Sequence, residues 1–287
     1  MPSRRNPHRP LDPELARTIF AERTIRSYQL LTDGACNTNF KVCLDGGSEY
    51  VLRLYSLGSP EVERWAMDRV KDAVPVPEML DWGSDWALMP FLEGEPLWRS
   101  PEASEQAGCA LAAIAQVTLP RPGRLQANGS IQPYPFGGLE GFVHTYLRKP
   151  QVQAWLGDPT LVRIEVLLER EASLCAELDA QHQLVHGDYN PTNILVQNGQ
   201  VTGILDWEFA HSGSPYADIG NLLRHLGPDC DEPVARALRS NGMRLPPDWR
   251  RRAALVDLTS HLEFLTSSLS DTFKTRCMER ILHFLDS

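Results

Sequence analysis

Short alternating apolar runs dominate the first third of the chain, and apolar residues at helical spacing dominate the rest. Ile25–Leu31, Phe40–Leu44 and Tyr50–Tyr55 are separated by Thr32-Asp33-Gly34 and Asp45-Gly46-Gly47-Ser48, the pattern of a strand meander. Ser59-Pro60 then opens a helix over Glu61–Val70, with Trp65, Met67 and Val70 turned inward, and Pro75 and Pro77 prevent its continuation. Met79–Trp82 and Trp86–Phe91 predict two more strands around Gly83-Ser84-Asp85. The breaker cluster Glu93-Gly94-Glu95-Pro96 follows, so we expect a β-rich lobe over residues 1–91 and a larger lobe over residues 92–287.

The second lobe is expected to be mainly helical. Ser100 is a good N-cap, with Pro101 at the first helical position and Leu111, Ile114 and Val117 at helical spacing beyond it. A proline- and glycine-rich connection spans Pro120 to Gly138. Helical patterns return at Leu161–Leu178, with Thr160 as cap, at Pro215–Leu226, near Val234–Leu238, and from Ala253 to the end.

Composition narrows the partners. Of 287 residues, 42% are hydrophobic and 23% charged, a globular balance, and the formal charge of -9 disfavours broad binding to nucleic acid or anionic membranes. A small-molecule partner is expected. The six scattered cysteines form no CxxC pair, which suits reduced thiols. The start of the chain lacks an apolar h-region and no apolar run is long enough for a membrane span, so a cytoplasmic protein is expected.

The densest chemistry lies in His186-Gly187-Asp188-Tyr189-Asn190-Pro191-Thr192-Asn193, followed by two short apolar strands and Asp206-Trp207-Glu208. Gln197-Asn198-Gly199-Gln200 between the strands predicts a type I′ hairpin, because both central residues need positive φ. Counting outward pairs Val196 with Val201, Leu195 with Thr202, Ile194 with Gly203 and Asn193 with Ile204, so Asn193 and Asp206 end at one edge. A carbonyl oxygen and a carboxylate there suit Mg²⁺, a hard cation that keeps waters and substrate phosphates in its shell. Asp188, five residues before Asn193 in a polar turn, is placed to accept a proton from an attacking hydroxyl. The rival chemistry is a metal-dependent hydrolase using His186, Asp188, Asp206 and His211, and a third reading is a catalytically inactive nucleotide-binding protein.

With its HGDxxxxN loop and following Asp-Trp segment, the chain resembles the aminoglycoside phosphotransferase and choline kinase family over most of its length. The resemblance implies a two-lobed α+β, protein-kinase-like fold that moves the γ-phosphoryl group of ATP, with GTP as the alternative donor, with Mg²⁺ to a small-molecule hydroxyl. Aminoglycoside-like antibiotics, amino alcohols and sugars are the acceptor classes. It further implies that Asp188 is the base, Asn193 and Asp206 the magnesium ligands, His186 structural, and Asp218 a buttress of the catalytic loop. In the first lobe it implies that Asn37 and Thr38 lie in the turn over the nucleotide phosphates. Arg53 would hold the α/β-phosphates where the family pattern has a lysine, with Glu63 as its partner and Glu61 as the rival. The Pro90 carbonyl and the Leu92 amide would hold the adenine edge.

Overall fold

The computed structural model describes residues 6–21, 23–32 and 36–287. It opens with α1 (Pro13–Phe20), a helix additional to those expected from hydropathy. Its signal is local: the Asp12 carboxylate accepts the Glu14 N–H at 2.8 Å and Pro13 takes the first helical position. The expected meander follows as β1 (Ile25–Leu31), β2 (Thr38–Leu44) and β3 (Glu49–Leu54). After α2 (Pro60–Val70) come β4 (Asp81–Trp82) and β5 (Trp86–Pro90), which complete an antiparallel sheet in the order β1-β2-β3-β5-β4. Alternate residues of β2 are buried, and Phe40, Val42 and Leu44 pack with Leu52, Leu54 and Leu88 against Phe20 of α1. The expected strand at Met79–Trp82 shrinks to its last two residues.

After β5 come β6 (Glu95–Pro96), two 3₁₀ turns and α3 (Ser104–Ala115). Ser100 does not cap this helix. Its hydroxyl bonds to the Glu95 carboxylate instead, and the first turn after it is 3₁₀ (Pro101–Ala103). The Pro/Gly connection holds β7 (Gly123–Leu125) and β8 (Ile131–Gln132) and leads to α4 (Leu139–Leu147), α5 (Pro150–Arg170) and α6 (Ala172–Asp179). The single helix expected at Leu161–Leu178 is thus two: the chain leaves helical geometry at Glu171 (φ -97°, ψ 11°), and α5 itself is interrupted at Gly157 (φ 70°) ahead of Pro159. Next come β9 (Gln183–Val185), β10 (Ile194–Gln197), β11 (Gln200–Ile204), a 3₁₀ turn at Trp207–Phe209 and β12 (His211–Gly213). The last elements are α7 (Tyr216–His225), α8 (Asp231–Ser240), α9 (Trp249–Thr266) and α10 (Asp271–Asp286). Ser270 separates the last two by capping α10, where one helix was expected.

Two features of packing position the site. Ala66, Met67 and Val70 of α2 belong to the apolar core of the helical lobe, with Leu111, Ile194 and Trp207, and not to the core of the sheet beside it. The helix therefore spans both lobes. On the far side, α7 crosses α9 so closely that a Cβ on Gly220 would lie 2.8 Å from the Ala253 carbonyl oxygen and 2.9 Å from the Asp257 Cβ. No helix among the described residues is long and apolar enough to cross a membrane.

Gly220→Ala should force α7 and α9 apart, because an added methylene in a packed interior costs about 1–3 kcal/mol. Urea denaturation checks this: an unchanged midpoint would mean that the crossing is looser than these distances imply.

Candidate active site

The polar loop between β9 and β10 is built around Asp218, on the first turn of α7. Its carboxylate accepts the N–H groups of His186 at 2.7 Å and Gly187 at 2.9 Å. Burial pushes the Asp218 carboxyl up to about 7, with the two N–H donors working in the opposite direction. Gly187 has φ 84°, and a Cβ there would meet the Phe209 carbonyl oxygen at 2.3 Å, so no other residue fits the turn. His186 is fully buried beneath Trp207, ring centroids 4.5 Å apart. Its Nε2 donates to the Leu205 carbonyl oxygen at 2.9 Å, and its Nδ1 accepts the Asp188 N–H at 3.1 Å. Burial holds the ring neutral by lowering its pKa to about 4.

Those contacts aim Asp188. Its Oδ1 accepts from Asn190 Nδ2 at 2.8 Å and its Oδ2 from Asn193 Nδ2 at 3.0 Å. Asn221, one turn into α7 from Asp218, approaches Oδ1 at 3.5 Å. Burial and the nearby Asp206 raise the Asp188 carboxyl, while the amide donors act to lower it.

The hairpin forms as expected at its tip, with Asn198 at φ 52° and Gly199 at φ 74°, and Val196 faces Val201. Beyond that the register shifts by one residue: a bulge sets Leu195 opposite Gly203 and Ile194 opposite Ile204. The shift keeps Asn193 beside the residues ahead of Asp206, and the Leu205 N–H bonds to the Asn193 carbonyl oxygen at 2.8 Å. Asp206 itself is left-handed (φ 70°, ψ 60°), an unfavourable state for a non-glycine residue of the kind found where geometry serves function.

Across the cleft, Arg53 of β3 meets three carboxylates. Its Nη2 bonds to Asp206 Oδ1 and lies 3.5 Å from Glu208 Oε1, and its Nε lies 3.4 Å from Glu63 Oε2 on α2. Burial works against the guanidinium charge, but Asp206 and Glu63 outweigh it and hold its pKa well above the ordinary value. Glu63 also accepts the Tyr55 hydroxyl and, at 3.1 Å, the Trp207 N–H. Glu61, the rival partner, turns instead to the Ser59 hydroxyl at 2.5 Å. Burial, followed by Asp206, pushes the Glu208 carboxyl up to about 8. The side chains of Glu63 and Glu208 are 1% and 2% exposed and that of Asp206 is 27% exposed, so Asp206 alone of the three turns an open face to the cleft.

Other first-lobe candidates are more mixed. Asp33, Gly34 and Ala35 of the expected phosphate turn lie outside the described residues. Asn37 is buried; its Oδ1 accepts the N–H groups of Ser56 at 2.8 Å and Leu57 at 3.1 Å, and its Nδ2 donates to Glu208. The Thr38 hydroxyl accepts the Arg9 N–H at 2.9 Å, on the side of the N-terminal segment. Pro90 ends β5 opposite Tyr50, and the Leu92 side chain packs over Gly203 of β11, so both lie where the sheet joins the second lobe.

The hydrolase alternative is not favoured at its histidines. Both ring nitrogens of His186 are occupied by the loop, and His211 Nδ1 contacts the Phe209 carbonyl oxygen at 3.1 Å. Among the described residues no group of three or more His, Cys, Asp or Glu could hold a metal ion. Three contributors had no role in the sequence reading: Glu208, Tyr55 and Asn221. Period-two spacing puts Tyr55 on the Arg53 face of β3, and helical spacing puts Asn221 on the Asp218 face of α7, so both had a weak signal.

Known proteins share this fold. Hygromycin-B 4-O-kinase of Escherichia coli is 25% identical over 195 residues, covering 62% of this chain and 56% of that protein, so the match spans little more than half of the relative. A thermostable variant of aminoglycoside phosphotransferase APH(4)-Ia, solved in ternary complex with ADP and hygromycin B, superposes with a TM-score of 0.67 at 21% identity, covering 95% of this chain and 97% of that one. Macrolide 2'-phosphotransferase MphH from Brachybacterium faecium gives 0.66 at 18% identity, over 94% and 98%. These likenesses bear out the two-lobed, kinase-like α+β fold. The phosphotransferase enzyme family model matches residues 27–255, most of the length, and the chain belongs to that family.

Proposed function

We propose that the chain is an ATP- and Mg²⁺-dependent O-phosphotransferase acting on a hydroxyl of a small molecule. The observation that carries this reading is Asn193, whose side chain binds the Asp188 carboxylate at 3.0 Å while its backbone bonds to the residue before Asp206 at 2.8 Å. One residue thus links the acid that would face an acceptor to the acid that would face phosphate. The relative solved with ADP and hygromycin B supports a nucleotide donor and a hydroxyl acceptor for this chain as well.

Asn193 Oδ1 and the open face of Asp206 are hard oxygen donors, a set that fits magnesium. Bound there, the ion would offset phosphate charge and hold the γ-phosphoryl group in line. Arg53 would bind the α/β-phosphates, held by Glu63 from α2, and Asp188 would take the hydroxyl proton as the acceptor oxygen bonds to phosphorus. The bond from phosphorus to the β-bridging oxygen breaks, and ADP leaves. His186 and Asp218 would act at one remove, by fixing the loop that aims Asp188. Asn37, just ahead of β2, and Thr38, its first residue, together with Pro90 and Leu92 at the adenine edge, complete the proposed nucleotide site. We place the division between lobes at residues 91 and 92; the pairing of β6 with β10 just beyond it supports that boundary.

Asp188→Asn should lower kcat by about 10²–10⁴-fold while leaving the KM for ATP nearly unchanged. Steady-state ADP release checks this, and a loss below threefold would remove Asp188 from the chemistry. Arg53→Met strands three acids in one site, and removing one partner of a buried ion pair costs about 3–5 kcal/mol. Arg53→Lys should recover part of that loss, as read by urea denaturation without ligand.

A further inference from the structure

A groove of about 700 Å³ runs between α7, α9 and α10, outside the residues assigned above. Its floor is a charge cluster. The Arg224 side chain is only 4% exposed, its Nη1 lies 3.1 Å from Asp257 Oδ1, and its Nε has no hydrogen-bond partner among the described residues. The same carboxylate serves His261, whose Nε2 lies 3.2 Å from Asp257 Oδ2 and whose Nδ1 also lacks a partner among the described residues. Arg280 adds a second guanidinium: its Nη2 donates to the Arg224 carbonyl oxygen at 2.7 Å, and among the described residues it forms no ion pair.

At the floor Asp257 alone therefore faces two guanidiniums and an imidazole, since Asp248 on the wall is paired with Arg252 at 3.1 Å. Two other arginines on the groove wall do not add to the surplus, because Arg250 is paired with Asp231 at 2.9 Å and Arg251 with Glu171 at 2.8 Å. The floor thus carries two guanidiniums against the one Asp257 carboxylate, in a chain of formal charge -9. Burial, then Arg224, lowers the pKa of Arg280. The cluster also lies within electrostatic range of Asp188. Arg224 lies one turn beyond Asn221, which approaches Asp188 at 3.5 Å, and its charge acts to lower the Asp188 carboxyl against burial and Asp206.

We propose that this groove binds the anionic end of the acceptor, a phosphate or carboxylate, between Arg224 and Arg280. Guanidinium forks match such groups bidentately, and a polycation would meet two like charges with Asp257 already engaged. The anion site stands on its own geometry; its assignment to the acceptor rests on the phosphotransferase reading.

Calorimetric titration of the nucleotide-free chain with inorganic phosphate tests the site. Wild type should bind saturably, Arg280→Met should bind about 10–100-fold more weakly, and Arg280→Lys should fall between them. Equal binding by wild type and Arg280→Met would overturn the site. ADP release from matched pairs, glycerol 3-phosphate against glycerol and gluconate against glucose, then tests the source of the anion. The charged member should be favoured by wild type and lose its advantage in Arg280→Met. A wild type that prefers the neutral members would overturn the acceptor assignment. Phosphate binding that depends on Arg280, with no ADP release from any hydroxyl compound, would keep the anion site and remove the phosphotransferase reading.

Discussion

A single guanidinium organises the cleft. Arg53 gathers Glu63 from α2 and Asp206 and Glu208 from the segment after β11, so the sheet, the spanning helix and the end of the hairpin converge on one buried cation. Three acids around one base leave a surplus of negative charge, and burial makes it expensive. Burial and the neighbouring Asp206 push the Glu208 carboxyl upward, towards its neutral form. Asp206 keeps the open face, where added positive charge would be most strongly favoured. A site with this imbalance suits a cation arriving with phosphates.

The polar loop between β9 and β10 is held in a different way, by hydrogen bonds from its backbone to Asp218 and from its own side chains. Asp218 binds two successive N–H groups, His186 joins the loop to Leu205, and Asn193 joins it to Asp188. These bonds fix a polar turn over an apolar underside made of the buried His186, Trp207 and the loop's own Tyr189. The same α7 that supplies Asp218 at its start supplies Asn221 and then Arg224 further along. Loop geometry and the proposed acceptor groove thus share one helix, seated on α9 by the close approach at Gly220.

Much of this was legible in the sequence, and the reasons differ by element. The meander and the hairpin tip follow from period-two patterning and from Asn198-Gly199, both local signals. The bulge that shifts Ile194 to face Ile204 has no such signal, so counting from the turn went wrong by one residue beyond Val196. Helix breaks at Glu171 and Ser270 were missed because apolar spacing continues across them. Glu63 over Glu61 could not be chosen from spacing alone; the fold decides it, because Glu61 is drawn to the cap residue Ser59. Arg224, Asp257 and Arg280 come from three helices far apart in the chain, and no one-dimensional pattern unites them.

A crystal structure of the chain with Mg²⁺ and a non-hydrolysable ATP analogue tests the central claim most directly. The account predicts the ion between Asn193 and Asp206, the γ-phosphate facing Asp188, and the Arg53 guanidinium turned from Asp206 towards the phosphates. A nucleotide bound elsewhere, or a cleft in which Arg53 stays locked on Asp206 and no ion enters, would contradict it.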